Sequence, residues 1–273
     1  MIGYARFGRI ILVFSCLLLL AGCAGLQVRT AVVSGPEAGA AVTALQRVSG
    51  GQNNCKCFDA EVFVNLSISS WSGDRAASFS GYLQTMSPSQ LIFIGINPFG
   101  QPQLIVVMDD KRLRSVLVPE AKVFTGDVRA KTFKKYFPPG FEPTDVFSWL
   151  AGRPPIGDDT IRAIRVGGDA GVYWFELDRA DGVGRVQLLF DSAAEVVLRY
   201  VLYGRFDNVL VDVRYTDYQD VGDCRLPGKI IVDSPSQNGS LWLELHDPLE
   251  CEELSPTAFR YGLPPGFESI TVE

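Results

Sequence analysis

The sequence predicts a mainly β protein with a few helices, built around one long antiparallel sheet. From residue 56 onward, apolar and polar residues alternate in short segments, as they do in half-buried strands. Pro, Gly and Asp separate these segments, which is typical of hairpin turns. We expect about eleven to twelve strands, and a meander of that length indicates a sheet closed or nearly closed into a barrel.

The individual elements follow from the same patterns. The predicted strands begin with a long segment from residue 56 past Ile68 and continue at 78–85, 91–96, 104–108, 113–118, 121–124, 160–166, 171–177, 185–189, 196–203, 209–218, 229–232 and 240–245. Helical spacing of apolar residues predicts a helix at 38–48. Residues 127–137 and 143–150 predict a helical insertion, with Asp127 and Thr144 as candidate N-caps.

The first 23 residues have the features of a bacterial lipoprotein signal. Arg6 and Arg9 precede an apolar run at 10–20, which is too short for a comfortable membrane span. The run ends in Leu-Ala-Gly-Cys23, the pattern at which lipoprotein signal peptides are cleaved. We therefore expect a signal peptide at 1–22, a lipidated Cys23, a tether at 23–37 and one domain at 38–273. Ala24 after the cysteine favours the outer membrane.

The composition and net charge of the chain indicate which classes of partner it can bind. The chain has 273 residues, of which 47% are hydrophobic and 21% charged, as in ordinary folded proteins. Without Arg6 and Arg9 the mature chain has 23 basic and 31 acidic side chains, a net charge of −8. An acidic domain without a basic stripe argues against nucleic acid as a partner.

Four cysteines remain after processing, and in an exported chain they favour disulfides. Residues 229–232 and 240–245 flank a turn, and pairing about that turn places Cys224 close to Cys251. This predicts a Cys224–Cys251 disulfide, because opposed strand residues have a suitable Cα separation. Cys55 and Cys57 could bond to each other only with strain. A zinc site is disfavoured by their spacing.

The sequence contains no coherent catalytic set. Its one histidine, His246, lies in an alternating strand, where a surface position is expected. The paired carboxylates lie at turns, where Asp is common for local hydrogen bonding. Glycosidase carboxylates need no motif, so an enzyme stays open as a minority hypothesis. We expect no enzymatic activity, no cofactor and no metal.

Residues 91–154 resemble the LolB family of outer-membrane lipoprotein receptors. The matching features are the strand and turn LIFIGINPFG ending at Gly100, the strand LIVVM, two helices, and the Trp149-Leu-Ala-Gly-Arg-Pro segment. The segment Phe259–Gly266 is similar to the broader LolA/LolB-like superfamily. The resemblance implies an open antiparallel barrel of about eleven strands with a helical cap and an apolar cavity for acyl chains.

Alternation in the first strands gives candidate cavity residues. The predicted inward set is Val64, Leu66, Phe79, Leu83, Phe93 and Val106. Trp149 would help to close the cavity from the helical insertion. These aromatic and aliphatic side chains could equally pack a solid core, which is their commoner use.

The turn at 97–100 presents a large aromatic residue. Pro98 fits the first corner of a turn, which places Phe99 at the tip. An exposed aromatic tip either folds back onto a neighbouring loop or enters something apolar. In the LolB resemblance the matching residue protrudes and helps to deliver lipoprotein into the membrane. The resemblance therefore assigns Pro98 and Phe99 to membrane insertion.

These expectations give one leading function and two alternatives. The leading function is a lipid-anchored, periplasm-facing protein of the outer membrane that binds lipoprotein acyl chains or other lipids and helps to insert them. Its partners would be the cargo, a periplasmic LolA-like carrier and the membrane. The alternatives are a structural envelope lipoprotein with a packed barrel and a surface glycosidase-like enzyme.

Overall fold

One β-sheet dominates the computed structural model, which describes residues 31–49, 55–70, 73–109, 111–134, 137, 140–182, 184–251, 259, 262 and 265–273. Strands β1 to β7 are Cys57–Ser70, Gly73–Met86, Gln90–Ile96, Pro102–Asp109, Arg112–Leu117, Lys122–Asp127 and Thr160–Val166. Strands β8 to β14 are Val172–Asp178, Arg185–Asp191, Val196–Tyr203, Val209–Val221, Cys224–Ser234, Gly239–Glu250 and Glu268–Val272.

The helices are short. They are α1 (Pro36–Ser49), α2 (Lys131–Lys134) and α3 (Val146–Leu150). Short 3-10 turns lie at Val118–Glu120, Pro143–Asp145 and Pro235–Gln237. Within the part of the chain that the structure describes, no helix is long and apolar enough to span a bilayer.

The strands form a single open sheet. Their order is β14-β6-β5-β4-β3-β2-β1-β13-β12-β11-β10-β9-β8-β7, so β14 and β7 are the two edges. All pairs are antiparallel except β14 with β6, which is parallel. Within the described residues the sheet has 14 strands, so the expectation of about eleven to twelve strands is corrected. The sheet is open, which agrees with the open arrangement that the resemblance implied and not with a closed barrel. One added strand is β14, whose parallel pairing comes from a long crossover that local patterns do not reveal.

Because neighbouring strands run antiparallel, successive turns lie alternately at the two ends of the sheet. The β3–β4 and β10–β11 turns lie at one end, with the β1–β2 and β12–β13 turns between them. We call this the Phe99 end. At the other end β1 and β12 begin and β13 finishes. We call that the disulfide end, for the cysteines that it contains.

One face of the sheet is covered by helices. Phe58 and Val62 of β1 lie on it, together with buried residues of β8 to β13 and of α1 and α3, in one hydrophobic cluster. We call this the inner face. α1 contributes Ala41, Ala44 and Leu45, which are all buried, and this fits the helical spacing that predicted the helix.

The end of the predicted tether is attached to the sheet. Val32 forms an isolated bridge with Arg165 of β7, and the Val33 N–H donates to the Ile164 carbonyl oxygen at 2.9 Å. α1 then begins at Pro36, a residue suited to the first helical turn. The predicted signal peptide and Cys23 lie outside the described residues.

The helical insertion differs from expectation at its first helix. The sequence predicts a helix at 127–137, but β6 continues to Asp127, and within the described part of this segment α2 covers Lys131–Lys134. β6 is paired on both sides, with β5 and with β14. These ladder hydrogen bonds outweigh the local helical preference.

The disulfides connect different cysteines from those expected. Cys55 is bonded to Cys224 and Cys57 to Cys251, with Cα separations of 4.6 and 5.3 Å. The predicted Cys224–Cys251 pair is wrong because β12 and β13 pair only over 229–234 and 239–244. Beyond that point β13 continues beside β1, and the Cys251 N–H donates to the Cys57 carbonyl oxygen at 3.3 Å.

Candidate functional site

The predicted cavity residues of the first four strands share one face. Val64 is opposite Phe79 in the β1–β2 register. Leu83 is opposite Phe93 on β3, and Phe93 is opposite Val106 on β4. Opposed residues in a ladder point to the same side of a sheet. The six side chains, Val64, Leu66, Phe79, Leu83, Phe93 and Val106, therefore lie on the inner face.

Burial on the inner face is much lower at the Phe99 end of β1 than at the disulfide end. Phe58 and Val62 at the disulfide end are 0% and 2% exposed, whereas Leu66 and Ile68 near the Phe99 end are 38% and 40% exposed. Val64, between them, is half-buried. Apolar side chains are thus sealed at one end of the inner face and accessible at the other.

The two neighbours of β1 show the same trend. On β2, Leu83 is buried and Phe79 is half-buried. On β13, Leu245 and Leu243 are buried and Leu241 is half-buried. Three adjacent strands therefore expose apolar surface on the inner face towards the Phe99 end. That the predicted residues line one connected cavity stays a prediction.

A glycine on β3 makes room for an aromatic ring of this surface. Gly95 has no side chain, and the Phe93 ring lies against its backbone. A Cβ added at Gly95 would lie 3.2 Å from Phe93 Cε1 and 3.5 Å from Phe79 Cβ. The Phe93 ring therefore occupies the space that a side chain at Gly95 would need.

α3 closes the inner face with aromatic side chains. Trp149 is 7% exposed, and its ring meets Tyr200 edge-on with centroids 5.0 Å apart. Phe147 contacts Phe58 at 5.8 Å. Burial raises the pKa of Tyr200 to about 12, so its hydroxyl stays neutral. Trp149 therefore lies over the inner face, and that it helps to close a cavity there stays a prediction.

The Phe99 turn projects into solvent. Phe99 is 87% exposed, and Pro98 is exposed beside it. The Asn97 side-chain oxygen accepts hydrogen bonds from the backbone N–H groups of Phe99 and Gln101, both at 3.0 Å. Gly100 has a φ of +77°, a conformation that glycine adopts without strain. The turn is therefore held by its own hydrogen bonds, and Phe99 does not fold back.

Solved structures share this arrangement of sheet and helices. A LolA superfamily protein from Nitrosomonas europaea is 12% identical with a TM-score of 0.53, covering 80% of this chain and 96% of that chain. A Vibrio parahaemolyticus domain, provisionally assigned to outer membrane lipoprotein sorting, is 13% identical with a TM-score of 0.54, covering 80% and 94%. A DUF1329 family protein from Desulfovibrio piger is 12% identical with a TM-score of 0.53, covering 83% and 98%. The chain has a LolA-like fold. No protein-family model and no curated protein matches it.

This LolA-like fold presents a second aromatic tip that the sequence analysis missed. Phe206, in the β10–β11 turn, is 89% exposed. The Gly204 N–H donates to the Asn208 carbonyl oxygen at 2.8 Å, and the Asp207 N–H donates to the Gly204 carbonyl oxygen at 3.1 Å. The sequence carries the same signal here as at Phe99, because Gly204 to Asn208 separates two clear strands.

His246 lies on the outer surface of the LolA-like sheet. Its side chain is 56% exposed and lies 3.7 Å from Glu244, which agrees with the expected surface position. Among the described residues, no three His, Cys, Asp or Glu side chains gather in a way that could hold a metal ion. All four described cysteines are in disulfides.

Proposed function

We propose that this protein is an envelope lipoprotein that binds the acyl chains of lipoproteins or other lipids on its inner face and helps to insert them into the outer membrane. The observation that carries this proposal is the apolar inner face, which is sealed at the disulfide end and accessible at the Phe99 end. The LolA-like fold supports it, as does the N-terminal lipoprotein signal.

The physical need for such a face is clear. Apolar surface left in water costs roughly 25 cal/mol per Å², so acyl chains that cross an aqueous compartment require an enclosing protein. Val64, Phe79 and Phe93 offer apolar contacts on the inner face. The role is one of binding and transfer and includes no catalytic step. The cargo would be received from a periplasmic LolA-like carrier.

A binding assay tests this proposal directly. Purified protein lacking its anchor should bind a fluorescent fatty acid, and excess unlabelled lipoprotein should displace the probe. Absence of saturable binding would exclude the proposed role. It would favour the second candidate, a structural lipoprotein, for which the packed aromatic core at the disulfide end already provides some support.

Lipidation of Cys23 gives the first prediction. Replacing Cys23 with Ala should leave an unprocessed or soluble periplasmic protein, because the thioether anchor cannot form. Fractionation and incorporation of labelled palmitate measure this. The assignment fails if the variant still takes up palmitate and stays with the outer membrane.

Membrane contact by Phe99 gives the second prediction. Phe99→Glu should fold normally, because the side chain is 87% exposed, and should keep its affinity for acyl chains. Transfer of bound lipoprotein to vesicles should fall about tenfold, since a buried Phe contributes roughly 1.5–3 kcal/mol and a charge opposes entry. Phe99→Leu is the matched control and should keep transfer. Equal transfer by the two variants would remove Phe99 from this role.

A further inference from the structure

Two turns of the sheet are built alike. In Asn97–Gln101 and in Gly204–Asn208, the first residue's N–H donates to the fifth residue's carbonyl oxygen, at 2.9 and 2.8 Å. In both, the fourth residue's N–H donates to the first residue's carbonyl oxygen, at 2.9 and 3.1 Å. The fourth residue has a positive φ in each, +77° at Gly100 and +57° at Asp207. The third residue in each turn is an exposed phenylalanine.

The two tips flank the accessible part of the inner face. Both turns lie at the Phe99 end, and β2, β1, β13 and β12 separate β3 from β11. Five strand spacings amount to about 24 Å along the sheet. The exposed inner-face residues Leu66 and Ile68 lie on β1, between the tips. An apolar partner at this end would therefore contact both tips and the inner face together.

The chain length allows a membrane anchor to reach this end. Val32 is held beside Arg165 of β7. Cys23 is nine residues earlier, a reach of up to about 30 Å in an extended chain. β7 from Arg165 to Thr160, its residue at the Phe99 end, spans about 17 Å. A lipid attached at Cys23 can thus enter a bilayer that faces the Phe99 end.

We propose that Phe206 is a second membrane-inserting residue, which acts with Phe99 to seat the open end of the inner face on a lipid bilayer. This inference rests on the proposed function, because it assumes that acyl chains leave the inner face for a membrane. Two contacts fix the orientation of the opening relative to the bilayer, whereas one contact leaves the protein free to tilt.

Vesicle cosedimentation of the unanchored Cys23→Ala protein tests this inference. Phosphatidylcholine vesicles remove the influence of net charge. Phe206→Glu should weaken binding about tenfold and the Phe99→Glu, Phe206→Glu double variant about a hundredfold, because separated sites contribute additively. Phe206→Leu is the conservative control and should bind like the parent.

The outcomes separate this inference from the proposed function. If Phe99→Glu weakens vesicle binding and Phe206→Glu does not, Phe206 has no membrane role while the proposed function stands. If the parent binds no acyl probe, the proposed function itself fails. If Phe206→Glu abolishes self-association in sedimentation velocity and leaves vesicle binding unchanged, the partner is a second copy of this chain and the inference is overturned.

A separate observation concerns a pocket of about 360 Å³ at the disulfide end. Arg47 at the end of α1, Arg153 after α3 and Arg225 on β12 line it. Two of these arginines have acidic partners. Arg47 forms an ion pair with Glu195, and Arg225 Nε lies 3.5 Å from Asp220 Oδ1.

Among the described residues, no acidic side chain forms an ion pair with Arg153. Its Nη2 atom is shielded from solvent and has no hydrogen-bond acceptor among the described residues. Burial lowers the pKa of this guanidinium, but an arginine stays protonated in proteins. Tyr218, beside it, donates its hydroxyl proton to the Val197 carbonyl oxygen at 2.6 Å. Asp223, the remaining acidic residue of the pocket, is exposed at the β11–β12 turn.

We infer that this pocket binds a phosphoryl oxyanion, with Arg153 as the principal donor and Arg225 as the second. A shielded guanidinium without a counter-charge is costly, and arginine donors match phosphate oxygens well. Both guanidinium groups line the same pocket, one from the segment after α3 and one from β12. The oxyanion is either free phosphate or the phosphate of a lipid headgroup.

Thermal denaturation with inorganic phosphate at constant ionic strength tests the second inference. The melting temperature of the parent should rise saturably with phosphate concentration. Arg153→Gln should weaken the apparent affinity at least tenfold, while the exposed Arg162→Gln of β7 should respond like the parent. Ala194→Glu, which places a carboxylate in the pocket wall, should also lose the response and covers the case in which Arg153→Gln does not fold.

The contradicting results are equally definite. No saturable shift in the parent, or the same shift in Arg153→Gln and Arg162→Gln, would overturn the phosphoryl site. Titration with short-chain phosphatidylglycerol then distinguishes the source. Binding at least tenfold tighter than that of inorganic phosphate identifies a lipid headgroup, and equal binding identifies free phosphate.

Discussion

Replacing Cys55 and Cys224 with Ser should lower the free energy of unfolding by about 3–4 kcal/mol in the chain-entropy model. The sequence separations of the two disulfides are 169 and 194 residues, and the two loops overlap, because Cys57 lies inside the first loop and Cys251 outside it. With Cys57–Cys251 intact, the Cys55–Cys224 bond closes a loop of only about 29 residues, and this short loop gives the estimate of about 3–4 kcal/mol. Urea denaturation of the double variant measures the difference.

Removing both disulfides should have a far larger effect. In the same model the two disulfides together stabilise the fold by about 9 kcal/mol. This is comparable with the whole free energy of unfolding of an ordinary domain, roughly 5–15 kcal/mol. The variant with four serines should therefore be largely unfolded at 37 °C. Peptide mapping without reductant should recover Cys55 linked to Cys224 and Cys57 linked to Cys251. A Cys224–Cys251 peptide, or a four-serine variant as stable as the parent, would contradict this part of the account.

A charge on the accessible part of the inner face should strongly reduce acyl binding. Leu66 is 38% exposed, so Leu66→Glu should fold. Its carboxylate would then face the acyl chain, and a charge in contact with hydrocarbon costs about 2 kcal/mol or more. The affinity for a fluorescent fatty acid should fall about 30-fold.

Asn65 provides a control one residue away. Successive strand residues point to opposite faces, and Asn65 is exposed, with its amide donating to the Ser78 hydroxyl at 3.1 Å. Asn65→Glu adds the same charge to the outer face and should bind the probe like the parent. Equal loss of affinity in both variants would mean that net charge, rather than the inner face, governs binding.

The sequence predicted the inner face because alternation alone determines it. Val64, Phe79, Phe93 and Val106 were assigned from period-two patterns, and their strands pair in a register that keeps them together. The turn at Phe99 was likewise predicted, since Pro98 and Gly100 fix its local geometry. Features that depend on residues close together along the chain can therefore be predicted from the sequence.

Features that depend on distant pairing were not predicted. The cysteine pairing required knowledge that β13 leaves β12 at Glu244 and continues beside β1. β14 forms only against β6, far away in the sequence. The pocket around the Arg153 Nη2 atom is formed by residues far apart along the chain, among them Arg47 and Tyr218. No local pattern of residues encodes these contacts.

Analysis of bound lipid tests the central claim most directly. The soluble periplasmic form of the Cys23→Ala protein has no lipid anchor, so an acyl compound extracted from it after mild purification comes from a binding site. Mass spectrometry of that extract should detect about one acyl-bearing molecule per protein, with much less in Leu66→Glu and an unchanged amount in Asn65→Glu. An extract without lipid from the parent, or equal amounts from the two variants, would contradict acyl binding on the inner face.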